Sequence, residues 1–367
     1  MNEATRPADV DIPAKMRAMR IHRLGPISAS GSPLQLDVIA TPRPQNSEIL
    51  IRVQACGVCH TELDELEGRA APPVLPMIPG HQVVGTVIEE GPDCHLGLRG
   101  KRVGVAWILS ACGTCKWCTS GRENLCPDFI ACGKDAAGGY AEFMLAGEKF
   151  VHEIPAGIGD CEATPLLCAG AVGYRALSLC ELSNGQALGL TGFGASGHLV
   201  LQMSKFLYPD SEIYVFARSG KEREFAAKLG AHWTGDTPDR PPQFLDSIID
   251  TTPAWLPVLS AMENLAPGGR LVINAIRKEA GDQKLLMQLD YERHLWKEKS
   301  IRSVANVTRK DVRDCLRLAA QIPLRPHVTE YSLDEANTAI IELKHGHIMG
   351  AKVLNLASGN RPLHQPH

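Results

Sequence analysis

The stretch ALGLTGFGASG, residues 187–197, decides how this chain is read. Its last six residues, Gly192-Phe-Gly194-Ala-Ser-Gly197, fit the spacing G-x-G-x-x-G, which alone is a weak signal. The flanks strengthen it. Residues 186–190 read as a strand and 197–207 carry the apolar spacing of a helix, the strand–turn–helix setting that a dinucleotide turn requires. There Gly192 permits the tight turn, Gly194 lets the backbone approach a pyrophosphate, and Gly197 lets helix and strand pack closely. The competing reading is a glycine-rich turn that binds nothing.

Strands and helices alternate around this turn. A helix over 171–182, with Gly185 beyond it as a stop, precedes the turn. A strand over 212–216, a helix over 221–229 ended by Gly230, and strands over 247–250 and 270–273 follow. Such alternation implies a parallel sheet. At the end of the 212–216 strand, a carboxylate would receive the ribose hydroxyl of NAD. Here Ala217 stands in that place, followed by Arg218 and Ser219. Without the carboxylate a 2′-phosphate is not repelled, and Arg218 can pair with it, which favours NADP(H) over NAD(H). The other reading makes Arg218 a solvated arginine in an enzyme that accepts both cofactors.

The first ~165 residues have a different texture, rich in Gly and Pro with short apolar runs at 49–53, 83–89 and 101–106 that read as strands. The end of the chain offers amphipathic helices over 310–320 and 332–344 and a strand over 352–356. The 367 residues suffice for two domains. With 44% hydrophobic and 22% charged residues and a net charge of -3, nothing points to a nucleic-acid or membrane-surface partner. No run approaches the ~18 consecutive apolar residues of a membrane span. Residues 1–16 are polar, lack the apolar stretch of a signal peptide and read as a solvated tail. The expectation is a cytoplasmic protein.

Twelve cysteines then need a reason. In the cytosol, clustered cysteines point to metal or catalysis rather than to disulfides. Cys112, Cys115, Cys118 and Cys126 give C-x2-C-x2-C-x7-C, enough to wrap one tetrahedral Zn²⁺ with no vacant position. An iron–sulfur cluster is the rival for such spacing. A closed site of this kind would staple the lobe 110–127 without performing chemistry. The run CGVCHTELD (56–64) is less decided: by itself it fits a redox pair, a closed zinc knuckle or an open metal site.

Several motifs converge on one family. CGVCHTELD, PGHQVVG (79–85), the cysteine lobe, GGYAEF (138–143), LLCAG (166–170), the glycine turn and APGGRLV (266–272) together span nearly the whole chain. The chain resembles the zinc-dependent alcohol dehydrogenases of the medium-chain dehydrogenase/reductase superfamily, closest to the microbial and yeast-type branch. The resemblance implies an α/β fold in which a Rossmann-type doubly wound parallel sheet (169–308) accompanies a mostly-β GroES-like catalytic domain (17–168 with 309–367). It implies two Zn²⁺ per chain, the catalytic one held by Cys59, His81 and Cys168 with a fourth position open, and Cys56 as a packed bystander. Thr61 would be the relay hydroxyl, His60 would lie beside the cofactor pyrophosphate, and Glu62 would orient the ligands. Asp64 stands where relatives can place a histidine as outer proton acceptor; it either takes that role or is solvated. Gln82 departs from the Glu common after the ligand histidine and removes a negative charge near the metal.

The implied reaction is reversible hydride transfer between a primary alcohol or its aldehyde and NAD(P), with zinc as Lewis acid. Leu66 stands where yeast-type relatives have a bulky aromatic, and Trp107 follows a strand where the family lines its pocket. Together they favour a roomier pocket for bulky or aromatic alcohols. A homodimer or homotetramer is expected. The alternatives are a polyol or other dehydrogenase of the same superfamily, and a zinc-ribbon binding or regulatory protein.

Overall fold

Leu188–Thr191 is buried along its whole length, as a strand covered on both faces must be. In the computed structural model, which describes residues 11–322, 324, 326–346 and 350–357, this strand lies within a six-stranded, all-parallel sheet. The spatial order is Trp233–Gly235, Ile213–Phe216, Leu188–Thr191, Leu245–Asp250, Leu265–Ile273, Ser300–Ser303. Strand order therefore reverses beside Leu188–Thr191, the switch point at which doubly wound sheets bind dinucleotides. Helices Gly197–Leu207, Gly220–Lys228 and Leu256–Asn264 supply the crossovers.

The chain divides into two units, Met1–Cys168 with His327–His367, and Ala169–Pro326. The sequence reading returned the chain to the first unit at 309; the structure does so at 327. Helix Arg309–Gln321 is the reason. A capping box between Thr308 and Asp311 starts it, and Val312, Cys315, Leu316 and Ala319 are buried. It packs against helix Ala171–Cys180, where Arg175 Nη1 meets Asp311 Oδ2 at 2.7 Å. Helix Ala171–Cys180 also stops before Gly185, because Glu181 takes the left-handed cap position at φ 51°.

In the first unit, Glu48–Val58 is the organising strand. It pairs antiparallel with Val83–Glu90, Ala351–Asn355 and Phe143–Gly147 in a seven-stranded sheet. The expected tail of 1–16 overlaps a strand. Lys15–Arg20 pairs with Gln35–Ala40, and Met16 is buried in the core; residues 1–10 lie outside the described ones. The expected 332–344 helix is a 3-10 turn, Leu333–Glu335, followed by Ala336–His345. One stretch, Asp160–Cys180, has the length and apolar composition of a membrane span, yet Ala163, Leu166, Leu167, Ala171, Ala176 and Leu177 are buried within protein. It is a core segment, broken by a π turn at Leu166–Gly170.

Candidate active site

Strand Glu48–Val58 delivers the chain to Cys59, which caps the short helix His60–Leu66. Cys59 Sγ accepts from Thr61 N at 3.4 Å, and Glu62 Oε2 accepts from Cys59 N at 2.8 Å, a capping box built on a thiol. The other oxygen of Glu62 lies 2.8 Å from His81 Nδ1. One fully buried carboxylate thus fixes both the helix start and the imidazole. His81 Nε2 is thereby aimed at two thiols, 3.6 Å from Cys59 Sγ and 3.4 Å from Cys168 Sγ, and the donor atoms of all three lie within 4.8 Å of one another. Cys168 arrives on the π turn, an irregularity that re-aims side chains at functional sites.

The donor set fits zinc. Tetrahedral coordination with Zn–S near 2.3 Å places ligand atoms about 3.4 to 3.8 Å apart, and His81 Nε2 stands at such distances from both sulfurs. The hydrogen bond with Cys168 and burial push the Cys59 thiol up, and the carboxylate of Glu62 adds to the effect. Burial opposes charge on His81, but Glu62 and Cys59 together outweigh it and raise the imidazole. A cation is what this cluster needs to hold thiolates. Three protein donors leave a tetrahedral ion one position for a further oxygen.

Cys112, Cys115, Cys118 and Cys126 converge separately, their sulfurs also within 4.8 Å of one another and Cys112–Cys118 at 3.9 Å. Backbone N–H groups of Thr114 and Cys115 lower Cys112 to about 6, so a thiolate is already favoured there. Four donors close this site.

In the second unit the glycine turn has the expected geometry. Gly192 has φ +82°, and a Cβ on it would stand 2.7 Å from Thr251 Oγ1; a Cβ on Gly197 would stand 2.7 Å from Gly192 O. A Cβ on Gly194 would meet nothing within 4 Å, so the space beside it is open to a ligand. At the end of Ile213–Phe216, Ala217 is buried while Arg218 and Ser219 are exposed ahead of helix Gly220–Lys228.

Comparison with known proteins agrees with this architecture. The family model described as "Alcohol dehydrogenase GroES-like domain" matches residues 45–156. The chain is 42% identical over 93% of its length to the "Probable alcohol dehydrogenase AdhA" of Mycobacterium tuberculosis, covering 97% of that protein. It is 30% identical to an "Alcohol dehydrogenase" of Geobacillus stearothermophilus, over 88% of this chain and 96% of that one. Among solved structures, the cobalt- and zinc-bound thermostable alcohol dehydrogenase from Pyrobaculum aerophilum superposes with a TM-score of 0.80 at 25% identity, covering 93% of this chain and 99% of that chain. The chain belongs to the zinc-type medium-chain alcohol dehydrogenases. Such an enzyme interconverts an alcohol and its carbonyl compound with zinc and a nicotinamide cofactor.

Other features of this alcohol dehydrogenase revise the reading of its sequence. Asp64 is not solvated: it is 3% exposed and Arg69 Nε donates to its Oδ1 at 2.6 Å. Leu66 is fully buried in the apolar core, so it gives no support to a roomier pocket. Cys56 is buried and stands outside the three-donor cluster. Gln82 is buried, and its backbone carbonyl accepts from Gly57 N at 2.9 Å. The short helix His60–Leu66 was not foreseen; the spacing Cys59-x-x-Glu62 was its one local signal. Also unforeseen is a network under the glycine turn. Asp250, fully buried, accepts from the hydroxyls of Thr191 (2.6 Å) and Thr252 (2.8 Å) and pairs with Lys278. Arg223 donates to the carbonyls of Ala217 (2.6 Å) and Arg218 (3.0 Å), bracing the loop that carries Arg218.

Proposed function

We propose that this alcohol dehydrogenase holds two zinc ions per chain, a catalytic one at Cys59, His81 and Cys168 and a structural one at Cys112, Cys115, Cys118 and Cys126, and that it prefers NADP(H). The observation that carries the catalytic assignment is the convergence of two thiols and His81 Nε2, with Glu62 behind the imidazole. When bound, zinc supplies a Lewis acid for the substrate oxygen and the nicotinamide supplies the hydride acceptor.

The chain's own residues do the rest. Glu62 keeps the Nδ1 proton of His81 engaged, so that Nε2 presents its lone pair to the metal. The Thr61 hydroxyl lies 3.4 Å from Cys59 Sγ and is the proposed first acceptor of the alcohol proton. The backbone at Gly192, Gly194 and Gly197 is the proposed pyrophosphate site, and His60, exposed at the start of the helix, is a further proposed cofactor contact. Asp64 is the proposed outer proton acceptor, acting under the control of Arg69. Arg218 and Ser219 are the proposed contacts to the 2′-phosphate; Ala217, which offers no carboxylate, supports that choice.

Primary alcohols and their aldehydes are the proposed substrates, and a cytoplasmic homodimer or homotetramer the proposed form. Elemental analysis should return two zinc per chain, and one per chain would sink the two-site assignment. A parallel screen of alcohols and aldehydes with NADP(H) and NAD(H) tests the rest. A higher kcat/KM with NADP(H), reversed in Arg218→Ala, supports the cofactor choice; equal values would make Arg218 a surface arginine.

A further inference from the structure

One titratable group beside the metal cluster has no part in the scheme above. Glu65 lies one turn beyond Glu62 on helix His60–Leu66, so the two side chains share a face. It is 0% exposed, and neither carboxylate oxygen has a hydrogen-bond partner among the described residues. The charged and titratable groups around it are Glu62, His81, Lys134, Asp135, Cys132 and Tyr140. None neutralises it. Lys134 Nζ is spent on Asp135 Oδ1 at 2.7 Å, His81 is engaged by Glu62, and the Tyr140 hydroxyl is itself buried without a partner among the described residues. A carboxylate stripped of water, without donors and one turn from a second carboxylate, is among the most costly charges a protein can carry. Burial foremost, then the charge of Glu62, raises Glu65 well above the usual carboxylate range.

We propose that Glu65 is held as a neutral carboxylic acid and acts as a positioning residue for the metal site: its neutrality leaves Glu62 as the lone anion of this face, free to orient His81. This rests on the assignment of Cys59, His81 and Cys168 as the catalytic ligands. Metal loading does not change the balance, because two thiolates offset the two positive charges of the ion. Ionising Glu65 would set a second negative charge behind Glu62, on the buried face that orients His81, and its field would reach the imidazole that faces the metal.

The test is infrared difference spectroscopy in the carbonyl-stretch region of protonated carboxylic acids, on wild type against Glu65→Gln, metal-free and zinc-loaded, at neutral pH. One such band should be present in wild type and lost in the variant, in both metal states. No difference overturns the proposal. Should Glu65→Gln fail to fold, Glu65→Leu removes the same band while filling the space. In cobalt-substituted protein, raising the pH from neutral into the alkaline range should shift the cobalt absorption in wild type and leave Glu65→Gln unshifted; the same shift in both overturns it. Zinc content is measured separately. A protein that keeps the band but binds no zinc at Cys59 refutes the catalytic-site assignment instead.

Discussion

Glu62 serves two partners with one carboxylate, the N–H of Cys59 and the ring of His81. Glu62→Gln should therefore weaken zinc at the catalytic site by roughly 10- to 100-fold, the usual effect of losing a ligand's outer partner; competition with a zinc chelator reads this directly. Asp64 offers a sharper test of proton handling. Its carboxylate is paired with Arg69. If Asp64 accepts the proton in turnover, Asp64→Asn should lower kcat while zinc content holds. An unchanged kcat would make the Asp64–Arg69 pair an anchor for the end of the helix. Gln82→Glu should retain zinc and displace the pH dependence of turnover, since it adds a negative charge at the buried position next to His81 in the chain; an unchanged profile would count against that.

The glycine turn separates stability from binding within one element. Gly192→Ala forces an L-residue to φ +82° and sets its Cβ against Thr251 Oγ1, so it should cost about 1–2 kcal/mol of stability and lower Tm. Gly194→Ala meets nothing in the protein, so Tm should hold while the dissociation constant for NADP(H), read by fluorescence titration, rises. Elements of this kind were legible because their signals are local. Helix Gly197–Leu207 spans the residues that its apolar spacing marks, and the all-parallel sheet follows from the alternation. Lys15–Arg20 and Ser300–Ser303 were not legible, since one is interleaved with basic residues and the other is exposed at every position. The three donors Cys59, His81 and Cys168 stood out through their family motifs. Glu65 and Arg69 did not: a run of acids such as D-E-L-E reads as a solvated face, and only the tertiary packing of helix His60–Leu66 buries it.

At the scale of the whole molecule, the cysteine lobe has little packing of its own, and the proposed structural zinc is what would hold it. Between 113 and 125, Glu123 is the buried residue, and the remaining side chains are partly or fully exposed. Cys126→Ala should bind one zinc fewer per chain and unfold at lower temperature while keeping the ion at Cys59, which calorimetry and metal analysis together would register. An unchanged Tm would show that the lobe is held by other means.

Cys168 is the last residue of the first unit, and the chain passes to the second at Ala169. A metal bound at Cys168 is therefore also a tether on the linking segment, fastening the π turn at Leu166–Gly170. Loss of the ion slackens the one covalent path that leaves the first unit for the second at that point. Protease nicking around 166–170 becomes a gauge of metal occupancy, readable without substrate or cofactor.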